Sequence, residues 1–161
     1  MPPKSTRRSI PPETWDETRV DIFARAMEGL VGLSKEDFVV VEGKNDVRSL
    51  KRMGLIARVV VCSRAGKLRD LESRARAGGQ HHRIVLLPDF DREGREKMRR
   101  WRSQLSGHRG VDSATWRILK SLLKSEGIGI EGLARLAEKL GLLERGMWLG
   151  PDEIVGRARF L

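Results

Sequence analysis

The stretch IVLLPDFDREG, residues 84–94, joins an apolar run to a cluster of charged side chains. Its first four residues are all aliphatic, a pattern typical of a strand that is buried on both faces of a sheet. Pro88 ends the run, and four ionised side chains follow at once: Asp89, Asp91, Arg92 and Glu93. Carboxylates this close together indicate either a solvated strand end that starts a helix or a site where the acids share a cation.

The same strand-then-helix pattern occurs twice before this stretch. Each unit joins an apolar strand to a segment with helical spacing, and the three units cover residues 38–54, 57–79 and 83–107. Successive units of this kind predict a parallel sheet covered by helices. A short fourth strand is expected at Val111. The sequence therefore predicts an α/β, Rossmann-like fold with about four mainly parallel strands, flanked by helices.

Helices are also predicted on both sides of these units. Apolar residues at helical spacing follow Thr14 and predict a first helix, with Thr14 or Asp16 as its cap. Two further helices are expected, one that ends at Glu126 and one over residues 130–140. The prolines and basic residues before Thr14 favour a mobile tail. We thus expect four segments: a mobile basic tail over 1–13, a packed N-terminal helix over 14–35, the α/β domain over 36–112, and a C-terminal helical extension over 113–161.

The composition of the chain indicates which class of partner it binds and where the protein is located. The formal net charge of +10 favours an anionic partner, nucleic acid before an acidic membrane surface. The chain has no apolar run of about 20 residues and no signal peptide, and its single cysteine, Cys62, argues against disulfides, so a cytoplasmic location is expected. Asparagine and glutamine are scarce and charged residues abundant, which indicates a thermophile or a GC-rich genome.

Three acids follow the predicted strands at one edge of the sheet. Glu42 ends the first strand, and Asp89 and Asp91 follow the third, so adjacent strands would bring the acids together where parallel sheets bind ligands. Residues two apart in an extended segment point the same way, which pairs Asp89 with Asp91. Oxygen ligands without His or Cys favour Mg²⁺, or Mn²⁺, over zinc. Such an ion suits phosphodiester chemistry.

The two acidic motifs together carry a family resemblance. VVVEGKND (39–46), followed later by LLPDFDREG (86–94), resembles the paired signature of the toprim domain. That domain is shared by topoisomerases, bacterial primases, OLD-type nucleases and the small nuclease that matures 5S ribosomal RNA. The resemblance covers residues 36–112. Residues 111–136 are similar to the tail of small stand-alone archaeal toprim proteins.

The resemblance implies a role for each motif residue. Glu42 takes the place of a general acid/base or metal ligand, and Asp89 and Asp91 take the places of metal ligands. Four residues would support them: Asp46, Glu93, Gly43 and Gly94, the glycines by allowing close approach of backbone and phosphate. Lys44 and Arg92 are the nearest phosphate contacts. Further along the same predicted helix, a basic stripe adds candidate contacts to nucleic acid: Arg95, Arg99 and Arg102.

Simpler explanations exist for each of these residues. Asp89 and Asp91 also suit a helix N-terminus, and Glu42 suits a solvated strand end. A first-turn ion pair would account for Lys44 and Asp46 equally well. For most of the arginines in the stripe, a solvated helix face is the simpler explanation.

Among toprim activities, the composition favours a minimal nuclease. Topoisomerases need a tyrosine nucleophile and the chain has no tyrosine, while bacterial-type primases need further segments and cysteines. We therefore expect a Mg²⁺-dependent nuclease or phosphoryl-transfer enzyme that acts on nucleic acid, with RNA favoured over DNA and ribosomal RNA as one substrate. The alternative is a non-catalytic RNA- or ribosome-binding factor on the same scaffold. The oligomeric state stays open.

Overall fold

The structure, a computed structural model, describes residues 15–62 and 66–150 of the chain. Strands alternate with helices through most of this range. In chain order the elements are α1 Glu17–Val31, β1 Phe38–Val41, α2 Lys44–Arg52, β2 Arg58–Val61, α3 Gly66–Ala75, β3 Ile84–Leu87, α4 Arg92–Gln104, β4 Val111–Asp112, α5 Ala114–Leu123, α6 Leu133–Lys139, β5 Leu143–Glu144 and β6 Met147–Trp148. Single 3₁₀ turns follow α3 and α5 and precede α6.

The main sheet has the strand order β2-β1-β3-β4, and every neighbouring pair is parallel. All residues of β1 and β3 are buried, as the continuous apolar sequences FVVV and IVLL predict for strands covered on both faces. Val41 lies opposite both Val61 and Leu87, so three strands end at the same level. The predicted α/β fold, with about four mainly parallel strands flanked by helices, is confirmed.

The first helix starts where its cap predicts. The Asp16 carboxylate accepts a hydrogen bond from the backbone N–H of Arg19 at 2.7 Å, which satisfies one of the free donors of the first turn. Phe23, Met27 and Leu30 then lie on one buried face of α1, which packs against α5. The alternative cap, Thr14, and the tail predicted over residues 1–13 lie outside the described residues.

The end of the described chain is not helical throughout. After α6, β5 and β6 form an antiparallel hairpin, for which the sequence provided no period. Its turn residues, Arg145 and Gly146, both have positive φ, 50° and 76°, the combination that a two-residue hairpin turn requires. Residues 151–161 of the predicted helical extension lie outside the described residues. No helix in the described ranges is long and apolar enough to cross a membrane.

One buried carboxylate joins the starts of three strands. The side chain of Asp37 accepts hydrogen bonds from the backbone N–H of Ser34 and of Arg83, both at 2.9 Å, and the backbone carbonyl of Asp37 accepts from Arg58 N at 2.9 Å. Burial opposes the charge, but the bonds from Arg83 and Ser34 prevail and hold the pKa of Asp37 below its usual value. Asp37 therefore aligns β1, β2 and β3 at the edge opposite the acids.

We expect Asp37→Asn to lower the free energy of unfolding by about 1–3 kcal/mol at pH 7, because an amide donor would face a backbone donor. The folded pKa lies below the unfolded one, so the stabilisation is complete above the unfolded value and disappears as the pH falls through the folded pKa. Urea unfolding at pH 7 and at pH 3 measures this difference. Asp70→Asn, at an exposed aspartate of α3, is the control; equal loss in both variants would contradict the prediction.

Candidate metal and nucleic-acid site

The carboxyl groups of Glu42 and Asp89 meet at the edge where β1 and β3 end. Glu42 directly follows β1, and Asp89 follows β3 by two residues, after Pro88. Because the two strands are parallel and in register, their chains leave the sheet at one level. The sequence predicted this convergence from the strand ends alone, and the structure brings the two side chains into hydrogen-bonding contact.

Asp89 holds a proton more tightly than an isolated carboxyl group does. The hydrogen bond with Glu42 raises the pKa of Asp89 to about 7, with further contributions from burial and from the negative charges of Glu42 and Asp91. Lys97 partly opposes this shift. Negative charge crowded around Asp89 is relieved either by a proton on that carboxyl group or by a cation beside it.

Asp46 supports the site from the first turn of α2. Its carboxylate is buried and accepts a hydrogen bond from the backbone N–H of Gly43 at 3.1 Å, so it caps the helix that follows Glu42. Burial raises the pKa of Asp46 to about 6, and the charge of Asp89 adds to the effect. Asp46 thus fixes the turn after Glu42 and adds negative charge next to the acidic pair.

Asp91 has a structural role at the start of α4. One oxygen of its carboxylate, Oδ1, accepts the backbone N–H of Gly94 at 2.7 Å, which is a standard N-cap. This matches the simpler explanation that the sequence offered for Asp91. Its negative charge still contributes to the raised pKa of Asp89, so both acids lie in one electrostatic environment.

Gly94 allows α4 to approach the acid loop closely. A Cβ atom at this position would lie 1.8 Å from the backbone oxygen of Asp89, closer than any real contact. The sequence predicted close approach of backbone and substrate phosphate at Gly94, and the structure shows the approach of the Asp89 backbone. Gly43 differs, because a Cβ there would meet only Asp46 Oδ2, at 3.8 Å.

Trp116 of α5 holds the acid loop from the other side. Its indole N–H donates to the backbone carbonyl of Pro88 at 2.7 Å, and its ring packs against Phe90, with centroids 6.2 Å apart. Both rings are buried. The loop that carries Asp89 is therefore fixed between α4 and α5. The sequence did not predict this contact.

Lys97 is the site residue that sequence reasoning missed. Its Nζ lies 3.1 Å from Glu42 Oε1. Burial alone would lower the pKa of Lys97, but the contact with Glu42 and its negative charge, aided by Glu93 and Asp89, raise it. A usable signal existed: Lys97 lies three residues after the buried Gly94, so it shares the inward side of a helix that starts at the acids.

A cleft of about 930 Å³ contains these groups. One wall is formed by Glu42, Asp46 and the acid loop, and the other by Lys97 together with residues 124–131, between α5 and α6. Of the predicted phosphate contacts, Lys44 lines this cleft. Arg92 is exposed and lies 3.8 Å from Glu96, while Glu93 is exposed outside the cleft lining. The stripe of Arg95, Arg99 and Arg102 lines a neighbouring groove.

The residues present fit a hard divalent cation, although no ligand cage is already assembled. Within residues 15–62 and 66–150, no three His, Cys, Asp or Glu side chains are grouped closely enough to hold a metal. However, Glu42 Oε1 is buried and accepts no hydrogen bond of normal geometry from the described residues, even with Lys97 beside it. The carboxylate oxygens of Glu42 and Asp89 are hard donors of the kind that suits Mg²⁺ or Mn²⁺.

Comparisons with known proteins agree with this arrangement. A family model described as the Toprim domain matches residues 37–124. The chain is 33% identical over 104 residues to a UPF0292 protein of Pyrococcus furiosus, covering 65% of this chain and 76% of the relative. It is 30% identical over 99 residues to a UPF0292 protein of Thermococcus kodakarensis, covering 61% and 71%. A solved structure of an Aquifex aeolicus protein is similar with a TM-score of 0.52 and 28% identity, covering 67% of this chain and 94% of that one.

We expect Asp89→Asn to raise the melting temperature of the metal-free protein, because it removes charge repulsion within the acidic pair. A gain of about 1 kcal/mol corresponds to about 2–4 °C in a chain of this size. Mg²⁺ should raise the melting temperature of the wild type and leave that of the variant nearly unchanged. Thermal unfolding in EDTA and in Mg²⁺ measures both effects. An equal response of the two proteins to Mg²⁺ would place the metal elsewhere.

Gly94→Ala and Gly43→Ala form a matched pair of variants, which tests whether the two glycines differ in the space around them. Alanine favours a helix interior by about 1 kcal/mol, but at Gly94 it would collide with the Asp89 backbone, so we expect a net loss of about 1–3 kcal/mol. Gly43→Ala has room and should cost less than about 1 kcal/mol. Chemical denaturation of both variants provides the comparison, and a stable Gly94→Ala protein would disprove the close approach.

Proposed function

The chain belongs to the toprim domain family, and from this membership we propose that it is a Mg²⁺- or Mn²⁺-dependent nuclease or related phosphoryl-transfer enzyme. Toprim domains have nucleic-acid-related functions and generally bind divalent metal ions such as Mg²⁺. One observation carries the finer proposal. Glu42 and Asp89, from the ends of two neighbouring strands, converge in an open cleft, where the buried Glu42 Oε1 has the Lys97 ammonium group at 3.1 Å beside it.

Glu42 and Asp89 would hold the ion, with the carboxylate of Asp91 beside them. When bound, a divalent ion supplies charge neutralisation for the phosphate and lowers the pKa of water. The protein supplies the frame: Gly94 and Trp116 fix the acid loop, and Asp46 fixes the turn after Glu42. Carboxylates that are fixed in position before the substrate binds favour the reaction, because they need no reorganisation to reach it.

Lys97 would serve the reacting phosphate directly. Its ammonium group neutralises Glu42, at 3.1 Å. With a divalent ion on Glu42, the ammonium group would be available for a phosphate oxygen within the same cleft. The pKa of Asp89, raised to about 7, suits this carboxyl group to transfer a proton to or from a reacting oxygen atom when it is not holding a metal ion.

We propose structured RNA as the substrate, with ribosomal RNA maturation as the type of reaction. The net charge of +10 supports a polyanionic substrate, and the archaeal UPF0292 relatives support a small protein built around one toprim domain. RNA over DNA, a cytoplasmic location, a thermophilic source and the limits of the four segments remain predictions.

A second candidate is a non-catalytic RNA- or ribosome-binding factor. One specific observation favours it: no three ligand side chains are already grouped for a metal in the described part of the chain, and Lys97 lies on the carboxylate that would bind it. In that case the acids and Lys97 would form a structural charge cluster, and binding would depend on basic surfaces elsewhere.

Cleavage of end-labelled structured RNA, single-stranded RNA and DNA with Mg²⁺ or Mn²⁺ tests the first candidate. We expect metal-dependent cutting that falls by at least about 100-fold in Glu42→Gln and in Asp89→Asn. Asp70→Asn, an exposed acid of α3, is the matched control and should cut normally. If the protein binds RNA without cutting it, and both acid variants bind RNA equally well, the nuclease proposal is wrong and the binding factor is the better explanation.

A further inference from the structure

A basic groove runs between α4 and α5, beside the acid cleft. It measures about 870 Å³, and six of the side chains that line it are cationic. Three come from α4 and three from α5 and the turn after it: Arg95, Arg99, Arg102, Arg117, Lys120 and Lys124. Its apolar residues are Met98 and Trp116. The sequence predicted only the α4 half of this surface.

The cations of the groove have no paired carboxylate among the described residues. The residues lining the groove include no Asp or Glu, and none of the six cations forms an ion pair with a carboxylate in residues 15–62 or 66–150. Lys120 instead lies over the Trp116 ring, 4.9 Å from its centroid, and burial and the nearby charges of Arg95 and Lys124 lower the pKa of Lys120. Cations that converge without carboxylate partners repel each other, and an anion in the groove removes that cost.

The groove adjoins the acid cleft. Lys124 lines both, so the two sites meet at this residue. At the far end, Arg99, Arg102 and Ser113 also line a further recess of about 510 Å³. Along α4, Arg95, Arg99 and Arg102 extend over about 10 Å at 1.5 Å per residue. The cations therefore follow a line that leads to the acids, as an extended polyanion requires.

We propose that this groove binds the phosphodiester backbone of a single-stranded nucleic acid and leads it into the acid cleft. A groove of this size holds a few nucleotides, and a flexible strand adapts to cations on two helices more readily than a rigid duplex does. The Trp116 N–H is already donated to Pro88 and does not read a base. Contacts between cations and phosphates carry no sequence information, so we expect binding to be tolerant of base sequence. Only the link to cleavage rests on the proposed function.

Fluorescence anisotropy with the full chain in EDTA tests this groove without any cleavage. The probes are labelled 12-nucleotide single strands of RNA and of DNA, and a 12-base-pair duplex. Arg99→Ala/Arg117→Ala removes two groove cations, and Arg100→Ala/Arg135→Ala removes two exposed arginines outside the groove with the same loss of charge. We expect single strands to bind the groove variant at least about tenfold more weakly, with a salt slope smaller by about 1.4. The control should stay within about twofold.

Each other outcome overturns the proposal. Equal loss in both double variants would mean that only net charge matters, and stronger binding of the duplex would exclude a single strand. Polyglutamate that competes as well as the oligonucleotide would point to an acidic protein instead. The RNA and DNA probes share the backbone chemistry, so their relative affinities identify the sugar that is preferred.

Failure of the groove and failure of the nuclease give different results. In EDTA, Asp70→Asn should bind single strands as well as the wild type does, because Asp70 is exposed and lines neither the groove nor the acid cleft. If single strands bind through the groove but are never cut, the groove proposal stands and the nuclease proposal is wrong. If cutting depends on Glu42 but the two arginine variants bind equally well, the nuclease proposal stands and the groove proposal is wrong.

Discussion

Parallel pairing of β1 with β3, in register, is the constraint on which the site depends. Val41 lies opposite Leu87, so both chains leave the sheet at the same level and deliver Glu42 and Asp89 to one point. The two carboxyl groups repel each other when both are ionised, and they are held together by the hydrophobic core beneath them. The core thus provides the free energy that keeps an unfavourable charge arrangement in place.

Several groups fix the positions of Glu42 and Asp89 at the edge of the sheet. Asp37 aligns the opposite ends of the strands through three backbone hydrogen bonds, and the acid loop is fixed by Gly94 on one side and Trp116 on the other. None of these groups needs to touch a substrate. Their common effect is to leave the Asp89 carboxyl little freedom, which suits a site where position and charge matter more than motion.

Part of this arrangement was visible in the sequence, because it depends on local patterns. Apolar runs and helical spacing predicted the strand–helix units, and the acids at the strand ends predicted the edge where a site would lie. At Gly94 the sequence predicted a close approach but not its partner, the Asp89 backbone, since a glycine in a sequence shows that space is needed but not for which group. The β5–β6 hairpin was missed because its strands have only two residues each.

The sequence by itself determined the α/β fold, the carboxylates at the strand ends and the basic character of the chain, because each is a property of short segments or of total composition. Only the tertiary structure decided that Lys97 lies against Glu42, that Trp116 holds the carbonyl of Pro88, and that α5 faces the arginines of α4 across a groove. The physical reason is distance along the chain: packing of the shared core, rather than any local periodicity, brings these partners together.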